Sequence, residues 1–427
     1  TTNGNITATE LVGDMLVGHV HSTDGAVTLS SSRRILDADT APTIDVTGVD
    51  ITLLSGIGAN KRTPGPVGGI GLATDYLEIN TARNLKDGRL VAQDVLAPVN
   101  GGIWLDELIG DMPVGLVATK ADVGLRTVGG SVLDVDGDTT ADVLGQAIDI
   151  DANGQGATIG RAGTTQGEFP TENSLEIDSS RGVAALSLSA TGKDVALEAS
   201  AGIFVTETAG RLRLAFAHAF SGDIELTVRE SAAQGEHLEL ISKGTARFAE
   251  SNTRGPGSQA DAERNIPRGL IFAEQGSVVL NVGDNVALHQ ASEIIAAGHI
   301  FIRGDFGNLD VGFGTVMDLR GRLIANATLT TPGNEVGANP VGVAVPTLIA
   351  PKAMTQIFGN SDADTINFGD ISGSTGATAQ GSAGYIFLGS KTRVSTGAGE
   401  DRIRVFFLQD TASVSSAAQL AALTLLG

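Results

Sequence analysis

Short runs in which apolar and polar side chains alternate recur along the whole chain. Examples are residues 26–29 (Ala-Val-Thr-Leu), 147–150 (Ala-Ile-Asp-Ile) and 299–302 (His-Ile-Phe-Ile), and turn-forming Gly, Asn, Asp or Ser residues separate such runs. A period of two places alternate side chains on one face of a β-strand, so each run predicts a short strand with one buried face. The pattern as a whole predicts an all-β protein.

A long internal repeat underlies these strands. Residues 10–15 (Glu-Leu-Val-Gly-Asp-Met) return as residues 107–112 (Glu-Leu-Ile-Gly-Asp-Met), 97 positions later, and a weaker third copy begins at Glu207. Other matches keep this offset or drift from it by a few positions: Asp37 and Asp134, Asp39 and Asp136, Asp45 and Asp142, residues 77–79 and 175–177, and residues 102–104 and 202–204. Self-similarity at a long, fixed period is typical of solenoids and arrays.

Two architectures fit many short strands with regular turns, a β-sandwich array and a parallel β-helix. The spacing favours the β-helix, because glycine turns directly precede strands and neighbouring strands are only a few residues apart. With coils of about 20 residues, one 97-residue unit would contain about five coils.

We therefore predict a right-handed parallel β-helix, or β-solenoid, over residues 1–329. Its degenerate repeats are assigned to residues 10–106, 107–206 and 207–326. Four prolines predict a boundary at residues 330–355, followed by a different C-terminal portion at residues 356–427. Smaller expectations are projecting loops at residues 62–67 and 251–267 and a short helical cap at residues 415–426.

Composition and charge narrow the functional classes. Aromatic residues make up only 4% of the chain, which suits the thin aliphatic core of stacked coils, and the absence of cysteine excludes disulfides. A net charge of −21 argues against nucleic acids and anionic membrane surfaces as partners, and no apolar run is long enough to insert in a membrane. Acidic, glycine-rich chains suit calcium, although the charge also serves solubility.

A candidate metal site lies in the C-terminal portion. The segment that starts at Gly359 and reads Gly-Asn-Ser-Asp-Ala-Asp-Thr-Ile resembles the nonapeptide G-G-x-G-x-D-x-U-x of repeats-in-toxin (RTX) proteins, and a second match follows 37 residues later. In that family stacked turns enclose calcium between backbone carbonyls and aspartates. The resemblance implies calcium near Asp362, Asp364 and Asp401, with Gly359 and Gly399 in the binding turns.

The match to this motif is incomplete. Asn360 and Asp362 replace two glycines of the first copy, and Thr396 stands at the first glycine of the second. The alternative is that these Asp and Gly residues only form β-helix turns.

Residues 134–138 (Asp-Val-Asp-Gly-Asp) resemble the opening of an EF-hand loop. That loop needs glycine at its sixth position and glutamate at its twelfth, where this chain has Thr139 and Gly145. Because Asp37 and Asp39 occupy the same places in the first repeat, the favoured interpretation is a repeated structural turn.

The combination of strands, repeats and toxin-like nonapeptides resembles filamentous-haemagglutinin-like and RTX adhesins, which are large bacterial surface proteins. This resemblance implies export to the cell surface, calcium-assisted folding and a role in adhesion, biofilm matrix or a surface layer. We expect a non-enzymatic stalk, adhesin or self-assembling filament or surface-layer subunit. Its expected partners are further copies, neighbouring segments of a larger chain, or a surface or matrix polysaccharide.

Two other functions remain open. β-Helices also host carbohydrate-active enzymes, lyases or hydrolases, that use clustered carboxylates or a calcium-paired basic residue in a groove lined with aromatic side chains. Trp104, the only tryptophan, matches Phe204 in the next repeat, which favours a packing role over a sugar platform. A calcium-binding spacer without a partner is the third hypothesis.

Overall fold

The computed structural model describes most of the chain. The described residues are 3–58, 64–81, 88–94, 96, 101–163, 173–180, 194–232, 234–241, 269–289, 292–325, 353–360, 362–369, 386–388, 392–405 and 423–426. All regular elements in these residues are β-strands, and none of these residues belongs to a helix that would be long and apolar enough to cross a membrane. The strands divide between two compact units, which separate after Thr208.

Unit 1 contains eighteen described strands. They are β1 (Ile6–Glu10), β2 (Met15–Val17), β3 (Val20–His21), β4 (Val27–Ser31), β5 (Ile35–Asp37), β6 (Val46–Thr47), β7 (Asp50–Leu54), β8 (Leu77–Asn80), β9 (Arg89–Asp94), β10 (Ile103–Glu107), β11 (Met112–Thr119), β12 (Val123–Thr127), β13 (Val132–Asp134), β14 (Val143–Leu144), β15 (Ile148–Ala152), β16 (Leu175–Asp178), β17 (Val195–Ala199) and β18 (Ile203–Glu207).

Most of these strands form two parallel sheets that the chain visits in alternation. Sheet 1 has the order β1-β4-β7-β9-β11-β14-β16-β18, and sheet 2 has the order β3-β6-β8-β10-β12-β15-β17. Strands β2 and β5 pair separately, also in parallel. Apolar side chains in register stack from coil to coil, for example Leu105, Leu125 and Ile150, all fully buried.

Unit 2 contains the remaining described strands. They are β19 (Leu212–Ala219), β20 (Ile224–Val228), β21 (Leu238–Leu240), β22 (Leu270–Ala273), β23 (Val278–Val282), β24 (Val286–Leu288), β25 (Glu293–Ala296), β26 (Ile300–Arg303), β27 (Val316–Leu319), β28 (Gly321–Ala325), β29 (Thr355–Phe358), β30 (Thr365–Phe368), β31 (Ile386–Leu388), β32 (Thr392–Ser395), β33 (Arg402–Val405) and β34 (Leu423–Leu426).

Three parallel ladders organise unit 2. They run β20-β23-β26-β29-β32-β34, β21-β24-β27-β30-β33 and β22-β25-β28-β31, so three successive strands make one coil. In the second ladder Leu240, Leu288 and Leu319 stack on one another, almost fully buried. The coils therefore share a continuous aliphatic core.

The prediction of an all-β chain with parallel strands is confirmed, in keeping with a β-solenoid. The predicted coil count is wrong. Between β1 and its repeat counterpart β10 the chain visits sheet 1 at β1, β4, β7 and β9 and sheet 2 at β3, β6, β8 and β10, which makes three and a half coils instead of five. Loops lengthen the coils: Leu53 pairs with Ala92, 39 residues away.

Several smaller expectations fall on particular segments. The predicted loop at residues 251–267 lies outside the described residues, as do Arg62 and Thr63 of the loop at 62–67 and most of the boundary at 330–355. The helix expected at the C-terminal end is wrong for its described part, because Leu423–Leu426 form strand β34, which pairs with β32. Strands before and after the predicted boundary also pair with each other, as β26 does with β29.

Candidate functional site: repeated carboxylate groups

Three carboxylates converge in the first repeat. Asp37 ends β5, Asp45 directly precedes β6, and Glu78 lies in β8 of the next coil. One carboxylate oxygen from each lies within 4.8 Å of the others. Asp45 is 1%, Glu78 5% and Asp37 9% exposed, so the group is almost shielded from water. We call it the first carboxylate group.

Backbone hydrogen bonds fix this geometry. The Asp45 amide donates to the Glu78 carbonyl (2.9 Å), and the Glu78 amide donates to Oδ2 of Asp45 (3.2 Å). Oδ1 of Asp37 accepts the Asp39 amide (3.0 Å), whereas its Oδ2 is buried and accepts no hydrogen bond from a described residue. The parallel pairing of β6 with β8 thus brings together residues that are 33 positions apart in sequence.

The second repeat builds the same group from Asp134, Asp142 and Glu176. The Asp142 amide donates to the Glu176 carbonyl (2.8 Å), and the Glu176 amide donates to Oδ2 of Asp142 (3.1 Å). Oδ1 of Asp134 accepts the amides of Asp136 (2.7 Å) and Gly137 (3.0 Å), and again Oδ2 accepts none within the described part of the chain. This second carboxylate group repeats every backbone contact of the first.

Burial makes both groups costly to ionise. It raises the pKa of Asp45 to about 7, with a further contribution from the Asp37 charge, and the pKa of Glu78 to about 8, with a further contribution from Asp45. In the second group burial raises the pKa of Asp142 to about 9, and the charge of Asp134 acts in the same direction. Clustered carboxylates of this kind either hold protons or bind a cation.

Among the described residues, positively charged side chains lie beside these two groups and not within them. Arg89 forms an ion pair with Asp136, two residues after Asp134. Asp45 and Asp142 form no ion pair with any described Arg, Lys or His. The ligand atoms are oxygens only, which is the donor set that calcium prefers. The Oδ2 atoms of Asp37 and Asp134, to which no described residue donates a hydrogen bond, are available to such an ion.

The structure brings the five predicted C-terminal site residues into two stacked turns. The register of β30 and β33 places Asp364 beside Asp401, and the Asp364 amide donates to Oδ1 of Asp401 (3.1 Å). A side chain at Gly359 would overlap the Asp364 carboxylate, and one at Gly399 would overlap the backbone of Asp362. These glycines therefore permit the close approach of neighbouring turns.

The carboxylates of these turns are engaged by backbone amides. Oδ1 of Asp364 accepts the Thr315 amide and Oδ2 accepts the Asn360 amide, both at 3.0 Å, and Oδ2 of Asp362 accepts the Gly312 amide (2.9 Å). Burial raises the pKa of Asp364 to about 6. Within the described residues, the three-carboxylate groups do not include Asp362, Asp364 or Asp401, so calcium at this place stays a prediction.

Sequence reasoning passed over the repeated carboxylate groups although it matched all six residues. The interpretation of Asp37 and Asp134 as structural turns accounts for their Oδ1 atoms alone. The signal that could have found the groups is the recurrence of Asp, Asp and Glu at nearly the same offset in two copies.

Trp104 packs against Tyr76, with ring centroids 5.7 Å apart, and is 6% exposed. It points to the opposite face of β10 from the core residue Leu105, because alternate side chains of a strand face opposite ways. Its burial leaves little surface for a sugar.

Comparisons with protein-family models, curated proteins and solved structures found no match to this chain.

Proposed function

We propose that this protein is a non-enzymatic structural protein of the bacterial cell surface or extracellular matrix, and that calcium stabilises its parallel β-coils. The observation that carries the proposal is the repetition of one buried three-carboxylate group, with the same hydrogen bonds, in two copies of the repeat. The proposed role is that of a stalk, adhesin, or filament or surface-layer subunit. As part of the same proposal, the β-coils form a right-handed solenoid, and the protein is similar to filamentous-haemagglutinin-like and RTX adhesins.

Calcium suits these groups better than protons outside the cell. Its sphere of oxygen ligands tolerates irregular geometry, and extracellular calcium modules bind with a Kd of about 10⁻⁴ to 10⁻³ M. Binding would displace the protons that Asp45 and Asp142 retain near neutral pH. At a calcium concentration ten times the Kd, each site would add about 1.4 kcal/mol to the free energy of unfolding.

Neutralising one residue in each group tests the metal proposal. In Asp45→Asn/Asp142→Asn each asparagine keeps an oxygen for the neighbouring Glu amide but loses the charge. We expect calorimetric titration to show two fewer calcium ions per chain than in the wild type, and a smaller rise of Tm with calcium. The control is Asp50→Asn, an exposed strand residue. Wild-type stoichiometry in the double variant would contradict the proposal.

Electron microscopy and light scattering in calcium and in chelator test the structural role. Rods or filaments that loosen on chelation support it. A compact monomer that is indifferent to calcium contradicts it.

One observation favours the alternative of a carbohydrate-active enzyme. Carboxyl groups with pKa values near 7 to 8, such as those of Asp45 and Glu78, resemble the protonated acids of glycosidases. The near-complete burial of both residues opposes this role, because a glycosidic oxygen must reach the acid. A screen of acidic and neutral polysaccharides for new reducing ends or unsaturated uronates distinguishes the two functions.

A further inference from the structure

A second carboxylate-rich region lies in unit 2, at the corner where the first ladder turns into the second. Glu230 and Glu236 lie in the turn between β20 and β21, Asp284 in the turn between β23 and β24, and Asp305 and Asp310 in the turn between β26 and β27. Because β20, β23 and β26 pair in order, these turns stack on one another. Oxygens of Glu230, Asp305 and Asp310 lie within 4.8 Å of one another, and Glu230 forms a similar group with Glu236 and Asp284.

Two of the five carboxylates already hold the turns together. Oδ2 of Asp284 accepts the amides of Gly235 (2.5 Å) and Glu236 (2.8 Å) and lies 3.6 Å from Nδ1 of His237. Oε1 of Glu236 accepts the Ser231 hydroxyl (2.7 Å). The positions of Asp284 and Glu236 are therefore explained by the turns themselves.

Glu230, Asp305 and Asp310 have no such explanation. They are 6%, 1% and 8% exposed, and neither carboxylate oxygen of any of the three is bonded to another described residue. They also form no ion pair with a described Arg, Lys or His. A buried, unpaired carboxylate costs several kcal/mol, and three that face one another cost more.

The ionisation of these residues reflects that cost. Burial raises the pKa of Glu230 to about 8, and the neighbouring Asp284 charge acts in the same direction. Burial likewise raises the pKa of Asp305 to about 7, supported by the charge of Asp310. A bound cation would remove the repulsion and supply the missing partner.

We propose that Glu230, Asp305 and Asp310 bind one divalent cation, and that calcium is the preferred ion. The ligand set consists of hard carboxylate oxygens, which select calcium, magnesium or manganese over softer metals. Ligands from turns two coils apart favour calcium, because magnesium demands near-ideal octahedral geometry. This site uses other residues than the two groups of unit 1, and it does not rest on the function proposed above.

The ion would tie the long turn at residues 304–315 to the turn at Glu230. That long turn presents Leu309, Val311 and Phe313, which are 55%, 77% and 57% exposed. Asp305 has a left-handed backbone (φ 49°), a conformation that a non-glycine residue adopts at a cost. Calcium would hold Asp305 in this conformation and so restrain the turn.

The test combines calcium titration with hydrogen exchange on the full chain. For Glu230→Gln/Asp305→Asn we expect one fewer bound calcium ion than in the wild type. We also expect calcium to protect the amides of residues 304–315 from exchange in the wild type and not in the variant. In chelator the variant should have a Tm at least equal to that of the wild type, because buried repelling charges are gone; this result shows that it folds.

Controls separate this site from the rest of the protein. Asp223→Asn, at an exposed acid of unit 2 outside every proposed site, keeps an oxygen for the Ser277 amide and should keep the full stoichiometry and the protection. Asp45→Asn/Asp142→Asn should keep the protection of residues 304–315 even if it loses ions, so failure of the unit 1 sites is distinguishable from failure here. Wild-type stoichiometry in the Glu230→Gln/Asp305→Asn variant, or protection that persists in it, would overturn the proposal. Protection by magnesium alone would overturn the preference for calcium.

Discussion

Glu10 and Glu107 occupy the same position of the repeat, but the fold shifts their pKa values in opposite directions. Glu10 is partly exposed, and hydrogen bonds from the amides of Val12 and Gly13 lower its pKa. Glu107 is fully buried in the next copy, and burial raises its pKa to about 8, although the amide and hydroxyl of Thr81 donate to it. Burial by neighbouring coils thus decides whether a glutamate at this position is charged, and the residue type alone does not reveal this.

Stability should depend on pH through Glu107. Since its pKa is higher in the fold than in the unfolded chain, its contribution is complete below about pH 4.5 and is lost as pH rises through about 8. Each pH unit between the two pKa values is worth about 1.4 kcal/mol. Glu107→Gln should therefore flatten the decline in urea-unfolding free energy between pH 5 and 8.

The control is Glu10→Gln. Because the pKa of Glu10 is lowered in the fold, its effect on stability changes with pH in the opposite direction. Its contribution is present above about pH 4.5 and is lost as pH falls through the lowered value. If Glu107→Gln leaves the slope between pH 5 and 8 unchanged, Glu107 is ionised in the fold at neutral pH.

Gly124 leaves room for the only tryptophan. A side chain at this position would overlap the ring of Trp104 and the hydroxyl of Tyr76. Gly124→Ala should reduce the free energy of unfolding by about 1 to 3 kcal/mol, since overpacking a buried site forces its neighbours to move. Urea unfolding followed by Trp104 fluorescence measures the loss. Gly13→Ala, where nothing lies within 4 Å, should change it by less than about 1 kcal/mol.

At the scale of elements, the stack of β-strands supplies the core. Leu125 of β12 lies between Leu105 of β10 and Ile150 of β15, and all three are fully buried. Leu125→Ala should lower the free energy of unfolding by about 2 to 5 kcal/mol, because it leaves a cavity between two coils. Val128→Ala, one position beyond the same strand and 37% exposed, should cost under about 1 kcal/mol in the same urea titration.

The positions of the strands were predictable from this sequence, whereas the strand with which each one pairs was not. Alternation at residues 147–150 predicts β15 almost to its ends (Ile148–Ala152). The number of coils in a repeat depends on which strands pair, and loops of variable length hide that pairing from any fixed spacing.

For the carboxylate groups too, the sequence shows which residues recur but not which of them lie close together. Asp37, Asp45 and Glu78 all stand at matched positions of the repeat. The register of β6 with β8 places Asp45 beside Glu78, and only the folded chain brings an Asp37 oxygen within 4.8 Å of both. Glu230 and Asp305 lie 75 residues apart with no repeat to relate them, so nothing in the sequence pairs them.

At the scale of the whole molecule, the net charge and the open strand edges have opposite effects on association between copies of the chain. A net charge of −21 makes copies of the chain repel, and calcium at the proposed sites would reduce that charge. Strand β1 pairs with β4, and no other described strand pairs with it; the same holds for β34, which pairs with β32. An open parallel edge is a template for a strand from another copy or from a neighbouring segment of a longer chain.

Association through the β1 edge can be blocked at one amide. The Ile6 amide donates to the carbonyl of Ala26, the residue directly before β4, so the alternating hydrogen bonds of a parallel pair direct the Thr7 amide to the open side. Thr7→Pro removes that donor and should abolish concentration-dependent assembly in calcium, measured by light scattering. Thr7→Val keeps the amide and a β-branched side chain, so it should assemble like the wild type. Equal assembly of the proline variant would show that copies associate through other surfaces, and a wild type that stays monomeric at every concentration would remove self-association from the proposed role.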